Sequence, residues 1–206
     1  MSKKEQMQDN YKIAEEIAWK KLSERNITEV ARFSSSSLID LWNIELEFIG
    51  EKFIVDQKKK IVRGAGREEV PIVWRILMLH YLIMAKDKDL TAKKIGFAQI
   101  RGASGYLGPF KARVLAPLIK GFSDDVKALV KVGQSIGGIK REFGDASVTI
   151  HAFAKVPITY VLWRGDDEFP PEGQAMFDSS IVSFLPLEDI VVVSSEIVYK
   201  LLKLKK

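Results

Sequence analysis

Five carboxylates, Asp166, Asp167, Glu168, Glu172 and Asp178, lie close together in the chain, directly after an apolar segment that ends at Trp163. Crowded carboxylates repel one another, so at least one must titrate high unless a cation or Arg164 neutralises the group. Asp166, Asp167, Glu168 and Glu172 are therefore the metal-ligand candidates. Their oxygens suit a hard divalent cation such as Mg²⁺ or Ca²⁺, and two of them could instead form an acid/base pair. The spacing lacks the alternating aspartates and distal glutamate of an EF-hand. The alternative is a solvated loop whose acids cap the next helix and pair with nearby lysines.

His80 and His151 are the two histidines of the chain. His80 sits in 70-VPIVWRILMLHYLIMA-85, where a neutral imidazole could be an axial ligand to a tetrapyrrole metal. The Asp-x-His-x-x-Gly pattern of corrinoid binding is absent, and a hydrogen-bonded core histidine is the alternative. A glycine-rich stretch, 101-RGASGYLGPFKAR-113, is flanked by Lys93 and Lys94 and could cradle an anion. It is neither a phosphate-binding P-loop nor a dinucleotide fingerprint, and a plain flexible loop would look the same. The ligand-binding candidates are thus His80, Tyr81, Arg101, Tyr106, Trp163, Arg164 and Asp178.

The 206 residues contain no cysteine, which excludes disulfides, thiolate zinc sites and any iron–sulfur cluster held by this chain. With 47% hydrophobic and 29% charged residues, the chain can bury a core of its own. The net charge of +5 is dispersed, and few aromatics accompany the basic residues, so nucleic acid is not the expected partner. The opening MSKKEQMQDNYK has no apolar signal core, which leads to the expectation of a cytoplasmic protein. The longest apolar run carries Arg75 and His80 and falls short of a membrane span.

The elements that must position these residues can be read from periodicity. An opening helix places Tyr11, Ala14, Ala18 and Leu22 on one face, broadened by Ile13, Ile17 and Trp19. A short helix over 28–33 takes Thr28 as its cap, and Ser34–Ser37 form a loop. Alternation in 44-IELEFIGEKFIVD-56 predicts a β-hairpin about Gly50, with 59-KKIVR-63 as a third strand. After a turn at Gly64-Ala65-Gly66, a helix from about Pro71 to Lys86 is apolar nearly all round. It is expected to run through the centre of the domain and to be its most buried element. A strand over 93–101 follows, then a helix from Pro109 broken at Pro117, and another from Asp124 to Ile136 capped by Ser123. Strands 146-ASVTIHAF-153 and 156-VPITYVLW-163 precede the acidic loop, with Trp163 packing inward beneath it. A helix from about Gln174 then ends before Pro186. The last segment, 187-LEDIVVVSSEIVYKLLKLKK-206, reads as a helix with acids first and lysines last, which docks on its own domain or binds a partner or an acidic surface. The expected fold is α+β: a single domain over 1–206, with an antiparallel or mixed sheet and a helical segment 1–36 packed on it.

The run 157-PITYVLWRGDDEFPPEGQAMFDSSIVSFLPLEDI-190 resembles the signature of domain-of-unknown-function family 3786, found in anaerobic bacteria and archaea. The segments 11-YKIAEEIAWKKL-22, 79-LHYLIMAK-86 and 143-FGDASVTIHAFAKVP-157 are similar to the same family. Some of its members carry an amino-terminal iron–sulfur cluster domain like that of corrinoid iron–sulfur proteins. The resemblance thus implies a non-catalytic binding or accessory domain in a corrinoid or one-carbon system, with a protein partner there and a corrinoid or other tetrapyrrole as ligand. An enzyme using the acidic loop and a structural subunit of a larger complex are the other two readings.

Overall fold

The computed structural model describes residues 3–64, 66 and 69–205. Ala65, in the expected turn, lies outside them. The fold is α+β, with two sheets antiparallel throughout. The chain divides into two compact units, Met1–Lys88 with Ser183–Leu185, and Asp89–Val182 with Pro186–Lys206.

The first unit contains α1 (Lys3–Ser23), α2 (Ile27–Ser34), β1 (Ser37–Leu38), β2 (Asn43–Phe48), β3 (Glu51–Asp56), β4 (Ile61–Gly64) and α3 (Ile72–Met84). The strands form a sheet in the order β1-β2-β3-β4. Alternating charge and apolarity put Ile44, Leu46, Phe48, Phe53 and Val55 inside. The hairpin turns on Ile49 and Gly50, both at positive φ, as a tight two-residue connection requires. On α1 the buried face is narrower than the periodicity suggested. Ala18, Trp19 and Leu22 are buried, whereas Tyr11, Ile13 and Ile17 are exposed. The cap of α2 is Asn26 rather than Thr28, its side chain accepting from the Thr28 and Glu29 N–H groups at 3.0 and 3.1 Å.

The helix α3 packs on α1 and α2 and buries Ile76, Leu77, Met78, Leu79, Tyr81 and Leu82. It has no basic residue in its own last turn. Arg25 fills that role from outside, donating to the Ile83 carbonyl and, at 3.0 Å, to that of Ala85. The expectation that α3 is the most buried element needs correction. Its two ends are only half-buried, while β7 is buried at every position but one.

The second unit begins with β5 (Lys94–Gly96), a strand shorter than expected because Phe97–Gln99 turn into a 3-10 helix. A helical run follows as α4 (Leu107–Phe110), a π turn at Lys111–Leu115, and α5 (Ala116–Phe122). The wide turn stands just ahead of Pro117, which has no N–H to continue the α-helical pattern. Then come α6 (Val126–Ser135), β6 (Ile139–Arg141), β7 (Ala146–Phe153), β8 (Val156–Trp163), β9 (Glu172–Asp178) and α7 (Leu187–Lys205). The cap of α6 is Asp125, accepting from the Ala128 N–H at 3.2 Å, not Ser123. The sheet order is β5-β9-β8-β7-β6.

The segment from Gln174 is a strand, not a helix. Ala175 and Phe177 alternate inward, and β9 is hydrogen-bonded on both sides, to β8 and to β5. Two ladders outweigh the weak helical spacing of a short apolar segment. One face of this sheet is the core of the unit. Tyr160 donates through its hydroxyl to the Ser194 carbonyl of α7 at 2.8 Å. The backbone of Gly133 on α6 lies close over Val148, and Ile119 of α5 lies close over Gly173. Phe97, Phe110 and Phe177 form an aromatic group there, the first two stacked at 4.0 Å. Among the described residues no helix is long and apolar enough to cross a membrane.

Candidate functional site

Of the acidic residues between β8 and β9, Asp166 serves the turn it lies in. Asp166 Oδ1 accepts from the Glu168 and Phe169 N–H groups at 2.9 and 2.7 Å, and the Asp166 N–H returns a bond to the Phe169 carbonyl. These backbone bonds hold its carboxyl below the usual aspartate range. Arg164 donates its backbone N–H to Asp145 at 2.7 Å. Glu172 opens β9 opposite Trp163, and Trp163 is partly exposed rather than packed inward. Asp167 and Glu168 stand exposed. The structure does not gather these four acids as ion ligands. Among the described residues no group of three or more His, Asp or Glu side chains is placed to hold a metal.

Asp178 has a different environment. It is buried at the end of β9 and accepts from the N–H and hydroxyl of Thr91 at 3.1 and 2.9 Å. It accepts also from the N–H and hydroxyl of Ser180, at 2.9 and 2.6 Å. Burial pushes this carboxyl up, but the four bonds together pull it below its ordinary value. A lowered carboxylate pKa contributes stability present above the unfolded value and lost as pH falls through the folded one. Asp178→Asn should therefore flatten the acid side of the stability–pH curve, measured by urea unfolding between pH 2 and 6. An unchanged slope would show that the carboxylate does not anchor the Thr91 segment.

The remaining candidates are not brought together. His80 and Tyr81 belong to α3 in the first unit, where the Tyr81 hydroxyl is committed to the Ser34 carbonyl at 2.6 Å. A cavity of about 610 Å³ in that unit is lined by residues of α1, β4 and the start of α3, Glu15 and Arg75 among them, and not by His80. Arg101 and Tyr106 lie in the second unit on a turn and a 3-10 helix, Arg101 exposed.

A cluster that the sequence reading did not single out spans the other face of the five-stranded sheet. Thr149 on β7 and Thr159 on β8 are direct cross-strand partners, both buried, their hydroxyls 2.7 Å apart. Lys94 reaches across from β5 and donates Nζ to Thr159 Oγ1 at 3.0 Å. Arg141 on β6 donates Nε to Thr149 Oγ1 at 3.0 Å. Two cations from the two edge strands thus meet over a threonine pair at the middle of the sheet. The pairing depends on an irregularity. The register shifts between His151 and Phe153, and this puts Thr149 opposite Thr159 instead of opposite Tyr160.

Counting donors defines what the cluster can do. One hydroxyl proton bridges the threonines, which leaves the second hydroxyl proton, two ammonium protons and the terminal NH₂ groups of Arg141. Among the described residues neither Lys94 nor Arg141 forms a direct ion pair, although Asp178, the partner of Lys94 across the β5–β9 ladder, attracts the ammonium. Burial of the Lys94 ammonium, and then the nearby Arg141 charge, hold its pKa below the ordinary lysine value, with Asp178 opposing. The phenyl ring of Phe143, partly exposed, lies 6.0 Å from Lys94 Nζ. A surplus of charged donors with an aromatic wall is the chemistry of an anion site. The signal in the sequence was modest: a threonine at the polar position of each of two adjacent strands, with single basic residues in short flanking segments.

The family model described as "Domain of unknown function (DUF3786)" matches residues 26–200, running through both units. The opening helix, which shares in the resemblance, lies before the match. No curated protein and no solved structure matches the chain. The signature segment from Pro157 to Ile190 falls wholly within the matched residues, and the chain belongs to the DUF3786 family.

Proposed function

We propose that this chain is a binding module that takes an anionic ligand, a phosphate or carboxylate group, on the face of the five-stranded sheet marked by Lys94, Arg141, Thr149 and Thr159. The observation that carries the reading is the convergence of two cations, neither held in an ion pair with a carboxylate, on one hydrogen-bonded threonine pair, with Asp178 opposite Lys94 offsetting part of their charge. Holding two like charges near one another is unfavourable unless a counter-charge joins them, and an anion supplies it. The planar guanidinium gives such a ligand direction, and the ammonium gives charge. Phe143 offers a face for an apolar or aromatic part of the same ligand.

Isothermal titration with pyrophosphate at low ionic strength tests this. The wild-type chain should bind one equivalent. Arg141→Gln and Lys94→Gln should each weaken binding by about 10- to 100-fold, the worth of a hydrogen bond to a charged group. Binding should also weaken as pH rises through the lowered pKa of Lys94, since only the protonated amine attracts the anion. Absence of binding, or equal binding by the variants, would contradict the assignment.

The wider setting, a non-catalytic accessory role in a corrinoid or one-carbon system, is supported by the family resemblance alone. An absorbance spectrum of the anaerobically purified protein tests it. A corrinoid or Soret band would support that setting, and a colourless protein with a stoichiometric divalent ion would favour the acidic-loop enzyme instead.

A further inference from the structure

The helices α5 and α7 of the second unit meet unusually closely. A β-carbon placed on Gly121 would lie 2.0 Å from Leu202 Cδ2, so the leucine rests against bare backbone. Beside this contact a cavity of about 660 Å³ opens to the surface. Pro117, Gly121, Tyr199 and Leu202 line it, with Lys120, Lys203 and Lys205 around them. No acid lines it. Lys205 is fixed in place: its Nζ donates to the Gly121 carbonyl at 2.6 Å and lies 5.1 Å from the centre of the Phe122 ring. Lys120 and Lys203 are exposed, and so are the large side chains Tyr199 and Leu204 on the last turns of α7.

From this we infer that the α5–α7 groove docks an acidic amphipathic helix of a partner protein. The exposed Tyr199 and the partly exposed Leu202 lining an apolar depression mark a contact surface rather than ordinary surface scatter. The three lysines with no acid among the lining residues set the sign of the partner's charge. The concave form suits a helix laid with its apolar stripe in the groove, whereas a lipid surface is met by a convex amphipathic face.

The experiment uses the full chain and a fluorescein-labelled 14-residue peptide, with leucines at helical i, i+3, i+4, i+7 spacing and glutamates elsewhere. Fluorescence anisotropy should show saturable binding that weakens with salt. The double variant Lys120→Glu and Lys203→Glu should bind at least ten-fold more weakly while keeping the wild-type thermal midpoint, since both side chains are exposed. A matched peptide with lysines in place of glutamates should not bind. Equal binding of the two peptides, or indifference to the charge reversal, would overturn the inference. So would sedimentation of the protein with phosphatidylglycerol vesicles that the same reversal abolishes, if the acidic peptide does not bind, because the occupant would then be lipid. The Lys94→Gln variant should bind the peptide as the wild type does, because the groove stands on residues separate from the sheet-face site.

Discussion

Leu79→Ala is expected to destabilise the chain by about 2–5 kcal/mol, the sum of lost burial and the cavity left behind. Leu79 is fully buried on α3, between Met78 and the half-buried His80, in the helix that α1 and α2 pack against. The upper half of the range is expected, because the neighbourhood cannot easily collapse. The C-terminal end of α3 is tied to Arg25 through the Ile83 and Ala85 carbonyls, and Tyr81 is tied to Ser34. A helix pinned in this way relaxes little into a void. Urea unfolding should show a lower midpoint with an unchanged denaturant slope. A loss under about 0.5 kcal/mol, the range of ordinary surface substitutions, would mean that the core of the first unit lies elsewhere.

Gly144→Ala is expected to cost about 2–5 kcal/mol, combining the penalty of a left-handed backbone with that of overpacking. Gly144 has a φ of 58° in the connection between β6 and β7. A β-carbon there would lie 2.7 Å from the Leu162 carbonyl oxygen and 2.8 Å from Val161 Cγ1. The carbonyl belongs to the ladder and is already bonded to the Asp145 N–H at 2.9 Å, so it cannot move aside cheaply. The same connection follows directly on Arg141 at the end of β6 and carries Phe143, held by its N–H to the Ser147 hydroxyl at 2.9 Å. The substitution should therefore weaken pyrophosphate binding as well as lower the unfolding midpoint. Retention of wild-type stability would show that the connection is not held as the geometry requires.

Much of this fold was legible in the sequence because burial writes itself as period. The hairpin about Gly50 and strands β7 and β8 fall where alternation and continuous apolarity put them. The apolar helix α3 follows Pro71, and the final helix ends in lysines. The strand β9 was not legible, because its short alternation includes Gly173 and Gln174 and its identity comes from partners on both sides, β5 being distant in sequence. The caps Asn26 and Asp125 escaped for a smaller reason: each lies two residues from an equally plausible Thr or Ser. The acidic loop drew attention through composition, yet its most constrained member, Asp166, closes its own turn. The sheet-face cluster needed three-dimensional facts. It depends on a register shift of one residue in β7 and on long side chains crossing from edge strands to the central pair.

The central claim is that an anion sits between Lys94 and Arg141 on the sheet face. The most direct measurement is a ¹H–¹⁵N nuclear magnetic resonance titration of the labelled chain with pyrophosphate, following the Arg141 Nε–H signal and the backbone amides. The site predicts saturable shifts of Arg141 Nε–H and of amides around Lys94, Phe143, Thr149 and Thr159, with one apparent affinity, abolished in the Lys94→Gln, Arg141→Gln double variant. Shifts confined to other basic surfaces, or a pattern that survives in the double variant, would contradict it.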